Sequence, residues 1–354
     1  MKFEFTYVLT IIVSVMLILW ISPVAKNIGL VDKPNRRKSH QNHVPLVGGI
    51  VIALSVFTSL LLFDISLQSF RILFFCLAGI MIFGVIDDYQ DTSALRKLFI
   101  QFLVAIVLVI LDGRLVDNIG NIFGSGYEQG LNVLAVPFTI LAIVGVINAV
   151  NMIDGLDGLA SITTIISLAA LLLVTIARFS GENQSVQVLM MVTLLSLAVF
   201  TVFNFSGLVG ESRQIFLGDA GSTFLGLLLA YLLIYFSSDE VNLIRVTTAP
   251  WFIGLPLLDL VVVIILRFKS GQSLFVADRK HIHHQVTNYF GSKTTSLVVL
   301  VVVHCLFVMV GLISIRNVWP DWVLFWLMWA VCLLAVLVVV KLGKLDQKKI
   351  NNVG

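Results

Sequence analysis

The chain has 354 residues, 58% of them hydrophobic and 12% charged, with a mean hydropathy of +1.02 and a formal net charge of +3. A water-soluble domain is about 45–50% apolar and about 25% charged, so the excess apolar surface must face lipid, and a soluble enzyme or binding module is excluded. So small a net charge gives no ground for expecting a nucleic-acid partner.

About eleven apolar segments approach the roughly 20 residues that a helix needs to cross the hydrocarbon core. They fall near 5–25, 46–63, 70–86, 98–112, 133–150, 161–178, 187–205, 223–236, 247–266, 296–315 and 322–341. Several are short, which leaves room for two broken or tilted helices. The first lacks a small-residue cleavage site and reads as a retained helix rather than a signal peptide. The expected fold is an all-α polytopic membrane protein, one transmembrane domain over residues 1–354. Cys76, Cys305 and Cys332 lie in apolar runs without paired spacing, which argues against a disulfide framework or a zinc site.

Lys and Arg concentrate in alternate connections, and the positive-inside rule places these in the cytoplasm, with the amino terminus periplasmic and the carboxyl terminus cytoplasmic. The expected cytoplasmic stretches are about 26–45, 87–97, 151–160, 206–222 and 267–295, with a tail at 342–354. The unusual polar chemistry lies in these stretches, so the functional site is expected on the cytoplasmic face. The outer stretch 113–132, rich in Gly and Asn, reads as a plain loop.

The first inner stretch, GLVDKPNRRKSHQNHVPLVGG, gathers Lys33 just before one proline and Arg36, Arg37, Lys38, His40 and His43 between it and a second. Topology control and attraction to anionic headgroups would explain it, and so would a phosphate-binding arm. At the end of the third apolar segment, GVIDDYQD brings Asp87, Asp88 and Asp91 within five positions. Such mutually repelling carboxylates gain nothing for folding unless a cation such as Mg²⁺ neutralises them; a solvated helix cap is the plainer reading. In INAVNMIDGLDGLAS, a helix that persists would carry Asn148, Asn151, Asp154 and Asp157 along one slowly drifting face as a stripe of oxygen ligands. Polar glue between helices is the alternative.

FLGDAGST follows Arg213 and opens another apolar run. Gly218 and Gly221 permit a tight turn, Ser222 or Thr223 can cap the next helix, and that helix start favours a phosphate, with Asp219 poised to hold the bridging metal. In ADRKHIHHQ, His281, His283 and His284 stand beside Asp278, Arg279 and Lys280, a pattern for a phosphate clamp or proton transfer. A transition-metal site is the other reading; the positive surroundings and lack of nearby cysteine speak against it. Asp259, an intramembrane carboxylate after Pro256, is a weaker site candidate, and His304 reads as a core residue. Carboxylates for a divalent ion, cationic arms and a helix start on one membrane face form the kit for phosphoryl transfer, with a lipid as one substrate.

DDYQD, NAVNMIDGLDG, FLGDAGST and HIHH, in this order and with this spacing, resemble the polyprenyl-phosphate N-acetylhexosamine-1-phosphate transferases from about Gly29 to His284. The opening arm and the DRKHIHH form look most like the bacterial branch that uses UDP-GlcNAc. The branch that transfers phospho-MurNAc-pentapeptide carries three consecutive histidines, which Ile282 interrupts here. The resemblance implies a bacterial inner-membrane enzyme that starts lipopolysaccharide O-antigen and enterobacterial common antigen. It implies Mg²⁺, with Mn²⁺ as a substitute, on Asp219 and Asn151 with Asp88, while Asp87, Asp88 and Asp91 form the catalytic acidic group. Asp87 or Asp88 would orient or deprotonate undecaprenyl phosphate, whose oxygen attacks UDP-GlcNAc and releases UMP; a phospho-aspartyl intermediate is the other route. Asn148, Asp154 and Asp157 would shape the nucleotide-sugar pocket, Phe216 would stack on uracil, and His281, His283 and His284 would meet the sugar phosphate or the leaving group. Arg36, Arg37 and Lys38 would anchor phosphate. A relative using another UDP-sugar or feeding wall teichoic acid would share these motifs. An ion-coupled transporter or channel would instead spread acidic residues through both membrane halves, and a purely structural membrane subunit would not need them. The oligomeric state stays open, a homo-oligomer included.

Overall fold

The computed structural model describes residues 2–32, 43–63, 65–178, 184–271 and 281–351, with side chains between 4 and 342. Arg36, Arg37 and Lys38, with Lys33, His40 and Asp278 to Lys280, lie outside the described residues.

The helices in chain order are α1 (Lys2–Ile28), α2 (Gly48–Leu60), α3 (Arg71–Gln90), α4 (Ala94–Asp112), α5 (Ala135–Ile153), α6 (Leu159–Arg178) and α7 (Gln184–Asn204). Then come α8 (Ser206–Val209), α9 (Gly218–Ser237), α10 (Ala249–Phe252), α11 (Gly254–Lys269), α12 (Ile282–Phe290), α13 (Lys293–Asn317) and α14 (Asp321–Asn351). Without water to satisfy backbone polar groups, apolar runs of this length fold as helices that meet those needs internally. Among the described residues nine helices (α1, α3 to α7, α9, α13 and α14) are long and apolar enough to cross a membrane. The other two expected crossings are α2, of 13 residues, and a pair of helices, α10 and α11, broken at Ile253. The chain is a polytopic, all-α membrane protein.

The bundle is built on α9, in which every residue from Ala220 to Phe236 is buried. Small residues let its neighbours come close. A Cβ on Gly84 of α3 would stand 2.3 Å from the Ala220 Cα, and one on Gly49 of α2 would stand 2.1 Å from the Gly221 nitrogen. Backbone-to-backbone approach of this kind is how helices associate where lipid removes the hydrophobic drive between them. The helix starts of α4 and α9 and the ends of α3 and α5 thereby meet at one end of the bundle. At the other end of α9, Arg114 pairs with Asp112 at 2.7 Å and lies 5.1 Å over the Tyr235 ring.

Two short strands, β1 (Val31–Asp32) and β2 (Val44–Pro45), pair antiparallel after α1. Leu46 then bridges Phe216 in parallel, with the Phe216 N–H donating to the Pro45 carbonyl at 2.9 Å and the Gly48 N–H to the Phe216 carbonyl at 2.9 Å. The segment that opens α2 thus lies alongside the segment that opens α9.

Candidate active site

Asp87 and Asp88 occupy the last turn of α3. Asp91 ends that helix in a left-handed conformation with φ 51° and is itself exposed. Asp87 is buried and accepts the N–H of Thr92 at 3.0 Å together with the Thr92 hydroxyl. From the first turn of α4, Lys97 places its ammonium between two carboxylates, pairing with Asp87 Oδ2 and with Asp219 Oδ2 at 2.6 Å. Asn151, in the last turn of α5, donates through Nδ2 to the other oxygen of Asp219 at 2.7 Å and to Ser222 Oγ at 2.8 Å. Four helices therefore converge on Asp219. Hard oxygens already arranged around a cationic group are a donor set into which a divalent cation fits.

Asp88 acts on the backbone. Its Oδ1 accepts the Asp219 N–H at 2.7 Å and its Oδ2 the Ala220 N–H at 3.1 Å, two donors that the first turn of α9 leaves free. Gly218 has φ +72°, and a Cβ there would meet the Asp88 carboxylate at 2.5 Å. The helix begins at Gly218, so Ser222 and Thr223 lie inside it rather than at its cap, bonded to the carbonyls of Gly218 and Asp219. The expected local cap is supplied from α3 instead, because Asp88 reaches the free N–H groups.

The expected stripe from Asn148 to Asp157 is likewise interrupted. α5 ends at Ile153, since Gly155 and Gly158 do not hold a helix, and Gly158 takes φ +81°. Asn148 turns towards α4 and donates to Gln101 Oε1 at 2.6 Å, whereas Asn151 faces Asp219. Asp154 and Asp157 sit on the turn that follows. Asp154 is accessible to solvent yet closely surrounded by protein, as a side chain in a recess is. Loss of hydration there, with the charges of Asp219 and Asp157 nearby, pushes its carboxyl up to about 7. Buried Asn204 fastens this turn to the segment before α9, accepting the Gly158 N–H at 2.6 Å and donating to the Ile215 carbonyl at 2.9 Å. Gln214 reaches Asp157 at 3.3 Å, which puts Phe216 two residues beyond the contact.

The three histidines come together at the start of α12. Ring centroids are 5.4 Å apart for His281 and His283 and 4.2 Å for His283 and His284. The His283 ring presses on the turn after α5, its Nε2 lying 2.1 Å from where a Cβ on Gly155 would stand. Asp259 of α11 accepts the Ile282 N–H at 2.6 Å, and its other oxygen lies 2.8 Å from His281 Nδ1. Asp259, His281 and His283 each bring one ligand-type atom within 4.8 Å of the others.

Burial of His283, partly opposed by Asp259, pushes its imidazole down to about 3, so it is neutral in the folded protein. A free histidine titrates near 6.5, so between these values the unfolded chain binds the extra proton and stability falls as pH falls. The expected loss is about 1.4 kcal/mol per pH unit below about 6.5. Thermal midpoints in detergent between pH 7.5 and 5 check this, and His283→Gln should flatten the dependence.

Lys97, Thr92, Asn204 and Gln214 are part of the site although no motif marks them. Only Lys97 left a signal, as a cation at the start of the helix that follows the acidic cluster.

A family model described as glycosyl transferase family 4 matches residues 70–237. A protein of Yersinia pestis named undecaprenyl-phosphate alpha-N-acetylglucosaminyl 1-phosphate transferase is 33% identical over 85% of this chain and 81% of its own length. A protein of the same name from Escherichia coli O157:H7 is 32% identical over the same shares. A third, from Pasteurella multocida, is 32% identical over 78% of this chain and 76% of its own length.

Proposed function

Because the chain belongs to glycosyl transferase family 4, we propose that it transfers N-acetylglucosamine 1-phosphate from UDP-GlcNAc to undecaprenyl phosphate, giving undecaprenyl-diphosphate-GlcNAc and UMP. The observation that carries this reading is the convergence of Asn151 and of Lys97, itself paired with Asp87, on Asp219 at the mouth of a lipid-facing bundle. That end faces the cytoplasm of a bacterial inner membrane, where the basic connections belong.

Asp219 and Asn151, with Asp87 and Asp88 beside them, are the residues that would hold Mg²⁺ or Mn²⁺. Such an ion supplies charge neutralisation for the diphosphate. The protein's own part is positioning. Asp88 keeps Asp219 in place through the α9 backbone, and Lys97 offers a positive charge where phosphate oxygens gather. Asp87 orients the lipid phosphate. One of its oxygens attacks the phosphorus bonded to the sugar, a new anhydride forms, the anhydride to the nucleotide breaks, and the electron pair leaves on UMP. Asp154, Asp157 and Phe216 border the nucleotide-sugar pocket, the histidines lie on the leaving side, and Arg36, Arg37 and Lys38 anchor phosphate. The product would start O-antigen and enterobacterial common antigen.

One anhydride replaces another, so the reaction is nearly thermoneutral and UMP should drive it backwards. The test uses detergent-purified protein, undecaprenyl phosphate and a panel of radiolabelled UDP-sugars. Mg²⁺-dependent labelling of the butanol-extractable lipid from UDP-GlcNAc, with exchange of labelled UMP into the donor, is expected. Labelling from a different donor alone would keep the chemistry and move the protein to another pathway, such as wall teichoic acid. Labelling from none would defeat the proposal.

A further inference from the structure

Asp259 has so far no part in the chemistry, yet it is a buried carboxylate with both oxygens committed. It is 1% exposed, on α11. Such a group is costly at the edge of a membrane bundle unless it does something that an apolar side chain cannot. Its Oδ1 accepts the N–H of Ile282, the first residue of α12, and its Oδ2 meets Nδ1 of His281 at 2.8 Å. With Asp259 as the acceptor in both contacts the hydrogen in the second lies on Nδ1, and this tautomer is part of what is proposed below. Nε2 of His281 then has no bond among the described residues, and the ring is partly exposed beside His284 and beside His283, which itself packs on the turn that carries Asp154.

We propose that Asp259 is a positioning residue for the transfer, holding His281 with its proton on Nδ1 so that Nε2 faces the diphosphate of the nucleotide sugar. This rests on the functional reading above. The backbone contact to Ile282 fixes where α12 begins, and the side-chain contact fixes which imidazole nitrogen is turned outward. One carboxylate therefore sets both the place and the hydrogen-bonding polarity of the histidine. The physical logic is that of any carboxylate–imidazole pair, in which the partner selects the tautomer and the orientation.

Asp259→Asn separates this role from a structural one. The asparagine has the same shape, and its carbonyl can still accept the Ile282 N–H. Its amide, however, presents a donor to Nδ1, which moves the proton to Nε2. We expect kcat to fall about 100-fold, with KM for UDP-GlcNAc changed less than about threefold and the thermal midpoint close to wild type. In a His281→Ala background the same substitution should cost almost nothing more, since the two act as one unit. The tautomer is read directly from ¹⁵N spectra of histidine-labelled protein, the His281 signal being assigned by its loss in His281→Gln. Protonated Nδ1 in wild type and protonated Nε2 in Asp259→Asn are expected.

Wild-type kcat in Asp259→Asn, a full additional loss in the His281→Ala background, or a wild-type Nδ1 without a proton would each overturn the proposal. So would a stoichiometric transition metal in purified protein that His281→Ala removes, since the imidazole would then be a metal ligand and not a group facing the diphosphate. Should Asp259→Asn fail to fold, the wild-type spectrum still decides. That spectrum needs no turnover, so a protein inactive on every donor would sink the functional reading and the role in transfer with it, while the spectrum alone tells whether Asp259 sets the tautomer.

Discussion

Asp219→Asn is expected to lower kcat by at least about 1000-fold while leaving the protein folded. Asp219 is the one side chain on which α4, through Lys97, and α5, through Asn151, both close, and it stands in the first turn of the central helix. Asparagine keeps an oxygen for hydrogen bonding but removes the charge. The fold survives because Lys97 keeps Asp87 as a partner and the backbone bonds to Asp88 are untouched. Lipid labelling and UMP release would fall together, with the thermal midpoint close to wild type. Asp88→Asn should be nearly as damaging by another route, since an amide in place of one oxygen turns a donor towards an N–H of α9 and shifts Asp219. Activity retained in both variants would remove the acidic cluster from the mechanism.

Gly84→Ala is expected to destabilise the protein by about 2–4 kcal/mol and to inactivate it as well. The new methyl would lie 2.3 Å from the Ala220 Cα and 2.7 Å from its nitrogen, so α3 and α9 must part. No side chain can swing away to make room, since the atoms met first are backbone. Asp88 lies one turn further along α3, and its bonds to the Asp219 and Ala220 N–H groups would open with the helices. Gly79→Ala is the control on the same helix. Nothing lies within 4 Å of its Cβ position, so that variant should be neutral or slightly stabilising. Thermal unfolding followed by intrinsic fluorescence, with lipid labelling on the same samples, distinguishes the two. Equal behaviour would show that the close approach carries no energy.

These two residues also mark what could be read from the chain alone. The apolar runs mark the nine long helices found among the described residues, because lipid leaves the backbone few alternatives, and the break at Ile253 falls in a segment interrupted by prolines. Asp87, Asp88, Asn151 and Asp219 stood out by chemical type, since carboxylates and amides rarely cluster at a membrane mouth without a purpose. Their division of labour was hidden. That Asp88 grips a backbone 131 residues away, that Asn148 turns to Gln101 while Asn151 turns to Asp219, and that Asn204 ties two loops together depend on which helices are neighbours. Periodicity carries no such information. The stripe extrapolated past Ile153 failed because it assumed a helix through two glycines, and Lys97 was counted as a topology signal when it is also a partner to two acids.

Lys97 has a consequence for how the protein is made. Its ammonium lies between Asp87 and Asp219, so these two carboxylates come with a counter-charge in the same polypeptide. The two carboxylates are therefore partly neutralised within the polypeptide, and the helices that carry them can pack together without a divalent ion between them.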